Sequence, residues 1–65
     1  MKIKYFEETD TLYIEFAESR IVESKDLDQN TTLDFDGGGN VLAITLEHAS
    51  TRTDVHSLTL EGLAA

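Results

Sequence analysis

Apolar and polar residues alternate along most of the chain. Ile3 and Tyr5 fall on one side of an extended segment, with Lys2 and Lys4 on the other. A period of two marks a strand with one buried face. Glu7-Glu8-Thr9-Asp10 interrupts the pattern with polar turn formers. It resumes at Leu12, Ile14 and Phe16, with Thr11, Tyr13 and Glu15 opposite. The two runs lie close enough to pair as a hairpin. After Ala17-Glu18-Ser19-Arg20, residues 21–27 form a weaker strand in which charges outnumber apolar side chains. Such a composition suits an edge, where charge discourages unwanted pairing.

Asp28-Gln29-Asn30 reads as a turn. Thr31, Leu33 and Phe35 then alternate with Thr32, Asp34 and Asp36. Gly37-Gly38-Gly39-Asn40 supplies residues that tolerate positive φ, as tight hairpin connections require. Leu42, Ile44 and Leu46 return on one face, with Val41, Ala43 and Thr45 on the other. Together the strands predict a mainly β fold, β+α at most: an antiparallel β-meander of about five strands over residues 1–50.

Residues 51–65 read two ways. Asp54 can cap a short helix carrying Val55, Leu58 and Leu63 on one side. Leu58 and Leu60 also fit a strand period, and Gly62 weakens a helix. The favoured expectation is a short C-terminal helix packed on the sheet; the alternative is an extended segment.

Leu12, Ile14, Phe16, Leu33, Phe35, Leu42, Ile44 and Leu46 make one coherent apolar face. A single sheet cannot cover its own apolar face, so the tail, a second subunit or strong coiling must do so. With 65 residues the chain has room for one small domain, residues 1–65. Such a domain buries only about 60% of its unfolded surface, and small scaffolds usually need a staple. Cysteine is absent, which removes disulfides and thiolate metal sites. Association, with a dimer favoured, is the expected staple. Tyr13, Val41, Ala43, His48 and Leu58 are the candidate interface residues.

Charge narrows the partners. Thirteen acidic residues against five basic ones give a formal net charge of -8. That charge repels phosphate backbones and favours a basic protein or a cation, so no direct nucleic-acid partner is expected. No apolar run approaches the ~20 residues of a membrane helix. The N-terminus alternates instead of forming a signal core. Membrane association is not expected, and cytoplasmic location is the default.

Candidate chemistry is sparse. Asp34, Asp36 and Asn40 alternate around glycine as calcium ligands do, yet the closing bidentate Glu is missing. Hairpin geometry explains the same residues without metal. His48 and His56 fit neither a helical zinc pair nor a finger spacing. They read as surface or interface histidines, and at an interface they would make association sensitive to pH at about 6–7. Ser50 lies two residues from His48, which on a strand shares a face, but no orienting group or oxyanion site accompanies it. None of the serines sits in a nucleophile elbow, and the glycine triplet lacks the Lys and Ser/Thr of a phosphate loop. No cofactor, metal or catalytic residue is assigned, and an enzyme is the less favoured reading.

The order of short motifs is informative. Lys2 to Tyr5, Asp10-Thr11-Leu12-Tyr13-Ile14, Glu23-Ser24, Leu33-Asp34-Phe35-Asp36, Gly39-Asn40-Val41-Leu42-Ala43-Ile44 and Ala49-Ser50 resemble the small bacterial proteins of domain-of-unknown-function family 2283. The resemblance covers Met1 to about Ser50. Ala43 stands where that family usually has Gly, Thr45 where it usually has Glu, and Glu47 where an apolar residue is usual. The resemblance implies an antiparallel β-meander with little helix and no catalytic residues to carry over. It also implies a partner among small toxin-like proteins, and hence antitoxin-like neutralisation.

Three readings follow. The first is a non-catalytic protein-binding module, an antitoxin-like dimer that engages a small basic protein. The second is a small-ligand binder or enzyme with its site at a subunit interface, with His48, Ser50, Asp34 and Asp36 as first suspects. The third is a structural oligomerisation subunit.

Overall fold

A computed structural model describes residues 1–62; Leu63 and the two alanines after it lie outside the described residues. Five strands form one sheet: β1 (Lys2–Phe6), β2 (Thr11–Glu15), β3 (Glu23–Asp28), β4 (Thr31–Phe35) and β5 (Val41–Leu46). A single 3-10 turn, Ala49–Thr51, follows. Each strand is antiparallel to its neighbours, in the order β1-β2-β5-β4-β3. The fold is therefore mainly β and meander-like, with almost no helix.

One connection departs from a plain meander. After β2 the chain passes to the far edge, runs back through β3, β4 and β5, and sets β5 beside β2. Side-chain chemistry favours this order. Leu12 faces Leu46 and Ile14 faces Ile44 across the β2–β5 pair, so two apolar stripes merge. The charged strand β3 goes to the edge, as its composition predicts. There the register shifts between Asp26 and Asp28, passing over an exposed Leu27. Such a bulge further discourages edge pairing.

The register confirms the apolar face. Ile3, Ile14, Ile44 and Leu33 stand in one row across four strands. Val41 breaks the alternation. Asp34 pairs with Ala43 but Phe35 pairs with Val41, so Leu42 is an extra residue in β5. This bulge brings Val41 opposite an apolar-face residue, where strict alternation puts it on the other side.

The Gly-rich connection works as turn chemistry predicts. Asp36 accepts from the Gly38 N–H at 2.9 Å, the Asn40 N–H at 2.9 Å and the Asn40 side-chain amide at 3.0 Å. Gly39 has φ +81°. Gly39→Ala is therefore expected to cost about 1–2 kcal/mol. At Gly37 φ is ordinary and an added methyl meets only Val22, at 3.7 Å, so Gly37→Ala should be within about 0.5 kcal/mol of neutral. Urea denaturation of the two variants checks the contrast.

Little of the molecule is buried. Among the described residues Leu42, Ala43 and Ala49 are the buried apolar ones, at 4%, 1% and 0% exposure. All three lie on the central strand or just after it. The described residues of the tail are not helical. Asp54, read as a helix cap, instead accepts from the His56 N–H at 3.2 Å and closes a local turn. Leu58 and Leu60 stay exposed, and Leu63, the third member of the predicted helix face, is not among the described residues. Thr53, Val55, Ser57 and Leu58 nevertheless lie over Ile3, Leu12 and Ile14, leaving a cavity of about 160 Å³ between tail and sheet.

Candidate functional site

Asp10 ends the β1–β2 turn with φ +52°, a left-handed conformation that Asp tolerates better than most residues. That conformation points its carboxylate back at the sheet end. One oxygen, Oδ1, accepts from the Tyr5 hydroxyl at 2.6 Å and the Ser50 N–H at 3.0 Å. Oδ2 accepts from the Ser50 hydroxyl at 2.7 Å. The Asp10 carbonyl accepts from the Ala49 N–H at 2.9 Å. His48, also left-handed at φ +54°, turns the chain into this clasp. Asp10 thus ties the first turn to the segment leaving β5, forty residues later.

The clasp is structural in form. Both carboxylate oxygens are occupied, and Ser50 donates to Asp10 rather than to a histidine. His48 and Ser50 do not share a strand face, because β5 ends at Leu46. His56 meets the clasp through Tyr5, the two rings edge-on at 5.9 Å.

The polar face of the sheet carries the second cluster. Lys2, Glu15, Ala43, Asp34 and Ser24 form one row, and Lys4, Tyr13, Thr45, Thr32 and Asp26 the next. Ser24 donates to Asp34 at 2.6 Å, Thr32 to Asp26 at 3.1 Å and Tyr13 to Glu15 at 3.2 Å. Burial foremost, then the bond to Glu15, raises the Tyr13 phenol above its ordinary value, so it stays a neutral donor. This face presents three carboxylates from β2, β4 and β3, with the two lysines confined to β1.

The calcium-like residues do not converge. Asp34 faces Ser24 on the sheet, whereas Asp36 and Asn40 bond each other in the turn. Among the described residues no three potential metal ligands come together. The candidate interface residues are also dispersed. Tyr13 and Ala43 lie on the polar face, with Ala43 buried; Val41 is at the bulge, His48 at the clasp and Leu58 on the tail. A hollow of about 450 Å³ beside Tyr5 is walled only by residues 5–9 of a single hairpin arm, so it has no opposing wall to enclose a ligand.

Three carboxylates lie below the ordinary range. Asp10 is lowered chiefly by the Tyr5 hydroxyl and then by Ser50. Asp28 is lowered chiefly by the Asn30 N–H, and Asp36 chiefly by the Asn40 side chain and then its N–H. A folded-state value below the unfolded one means that the unfolded chain binds more protons. Their stabilisation is present above about pH 4 and is lost as pH falls through the lower folded values. Melting temperatures should be level from neutrality to about pH 5 and drop steeply below about pH 4. Thermal melts across that range check it.

Among the described residues no helix is long and apolar enough to cross a membrane. No curated protein and no solved structure matches the chain. The Asp10 and Ser50 clasp closes at the last residue of the stretch that does find a match. A model described as a protein of unknown function, DUF2283, matches residues 2–50, and the chain belongs to that family.

Proposed function

We propose that this protein is a non-catalytic binding module that works as a homodimer and takes up a small basic protein, in the manner of an antitoxin. The supporting observation is the shortage of interior. The molecule measures 36 × 32 × 17 Å, and among the described residues only Leu42, Ala43 and Ala49 are buried apolar residues. Phe6, Phe16, Ile21, Val22, Val41 and Leu60 are exposed. A chain with so little core and so much apolar surface is suited to association.

The charge argument selects the partner's sign. Carboxylates at Glu15, Asp34 and Asp26 stand on one face, and the whole chain carries a formal -8. Such a field speeds encounter with a basic protein and disfavours acidic ones. Tyr13, half-buried among these carboxylates, offers the aromatic anchor that binding hot spots favour. Glu15, Asp34 and Asp26 each accept one side-chain bond on the polar face, which leaves acceptor capacity there for a basic partner.

Affinity purification of the full chain at native expression, with identification of what co-purifies, tests the reading. The expected result is a small basic protein in stoichiometric amount, released as salt rises towards about 1 M. Recovery of the intact chain with no basic partner would overturn it. Tyr13→Ala should weaken capture by about thirtyfold or more if Tyr13 is the anchor.

A further inference from the structure

The end of the sheet that holds the Asp10 clasp carries a second attachment. Tyr5, Leu12, Leu46, Thr31 and Asp28 stand there in one row across the five strands. Residues 47–52 run along this end. Glu47 donates its N–H to the Asn30 carbonyl at 2.8 Å. His48 then reverses the chain with its left-handed backbone, and Ala49 and Ser50 reach Asp10. Arg52 comes back: its Nη1 donates to the same Asn30 carbonyl at 3.0 Å, and its Nη2 lies 3.7 Å from the Asp28 carboxylate. Residues 47–52 are therefore a closed loop. Both ends meet on one carbonyl in the β3–β4 turn, and the middle grips the β1–β2 turn.

We propose that Arg52 is a positioning residue for the Asp10 clasp: by closing this loop on Asn30 it presents Ser50 to Asp10, so the two attachments open together. Entropy supports the coupling. A loop fixed at both ends has already lost most of its freedom, so the bonds at its middle order few further torsions. With the Arg52 end free, the same bonds must restrain the whole segment. The loop is also stiff between its ends. Thr51 donates its hydroxyl to the His48 carbonyl at 2.8 Å, and the Arg52 N–H donates to the Ala49 carbonyl at 3.0 Å. Ala49 is buried beneath it.

The chemistry of Arg52 fits the task. A guanidinium presents several N–H groups in a planar fork, so one can reach a carbonyl while another faces a carboxylate. The ion pair with Asp28 is exposed and contributes little; the charge-assisted bond to the Asn30 carbonyl is the stronger contact. Asp28 also accepts from the Asn30 N–H at 2.8 Å, which fixes the peptide that Arg52 grips. The tail starts from the closed loop, where Thr53 donates its N–H to the Ala49 carbonyl at 2.9 Å.

Amide hydrogen exchange on the full chain tests the assignment, with Arg52→Ala, Arg52→Lys and Asp10→Asn compared with the parent. In Arg52→Ala the Ser50 amide should exchange about tenfold faster or more, although the Arg52 side chain bonds neither Ser50 nor Asp10. Coupling is reciprocal, so the Glu47 amide should exchange faster in Asp10→Asn. Arg52→Lys keeps the charge without the fork and should fall between parent and Arg52→Ala; it carries the test if the alanine variant does not fold. The Phe16 amide, bonded to Leu42 at the opposite end of the sheet, and the β3–β4 ladder amides should change little. Ser50 exchange that stays at the parent rate in the Arg52 variants overturns the proposal, because the two attachments are then independent. Equal acceleration at Ser50 and Phe16 overturns it too, because the effect is then a global loss of stability.

Discussion

Leu42→Ala is expected to lower the unfolding free energy by about 2–5 kcal/mol. A chain of 65 residues has a total stability of about 3–10 kcal/mol, so the variant should lose much of its cooperative transition. Among the described residues Leu42 is the only large apolar side chain that is buried, at 4% exposure, and it occupies the central strand at the β5 bulge. Its carbonyl accepts from Phe16 at 2.7 Å and from Ala17 at 3.4 Å, which holds the end of β2 against β5. Truncation leaves a void beneath a bulge whose geometry cannot shift without disturbing both neighbours. Leu60→Ala, by contrast, removes a side chain that is 85% exposed and should change stability by no more than about 0.5 kcal/mol. Urea titrations of the two variants check the pair. A Leu42→Ala loss below about 1 kcal/mol would mean that the bulge is not the packing centre.

The second large effect is expected at Asp10. Asp10→Ala removes the acceptor for the Tyr5 hydroxyl, the Ser50 N–H and the Ser50 hydroxyl in one step. It also places alanine at φ +52°, which a Cβ without a polar tip tolerates poorly. Asp10→Asn keeps the shape and the tolerance of positive φ, so stability should fall in the order parent, Asn, Ala. The local readout is amide exchange. Ser50 should exchange about tenfold faster or more in the Ala variant, while amides in the β3–β4 hairpin change little. A second readout is the phenol of Tyr5, held above its ordinary value chiefly by its bond to Asp10. In Asp10→Ala that tyrosine should titrate lower, whereas Tyr13 should not move. Unchanged exchange at Ser50 would show that the clasp does not anchor the segment after β5.

Much of the sheet is legible in the sequence because alternation is a local property. Ile3 with Tyr5, Leu12 with Ile14, and Leu42 with Ile44 mark strands without reference to distant residues. The charge of residues 23–28 likewise announces an edge. Three features escape for physical reasons. Placement of β5 between β2 and β4 depends on matching Leu12 with Leu46 and Ile14 with Ile44, and the same stripes would match in other orders. The bulge at Leu42 adds one residue without changing composition, so Val41 is assigned to the wrong face by periodicity. The tail resists reading because Asp54 has the same chemistry whether it caps a helix or closes a turn.

The candidate site is less legible still. Asp10 looks like any turn former, and its partner Ser50 is forty residues away. Asp10 and Ala49-Ser50 both belong to the motif fragments of one pattern, which is the one sequence signal that links them. Asp34, Asp36 and Asn40 have the spacing of calcium ligands, yet a strand alternates Asp34 and Asp36 only until the turn begins. There Asp36 bends to Asn40 and leaves Asp34 with Ser24.

Melting midpoint against protein concentration probes most directly whether one copy is self-sufficient. If folding and pairing are coupled, the midpoint of the full chain should climb by about 5 °C for each tenfold increase in concentration. A midpoint that stays put over two decades would contradict the account, because it would describe a lone sheet that is stable with its greasy end bare.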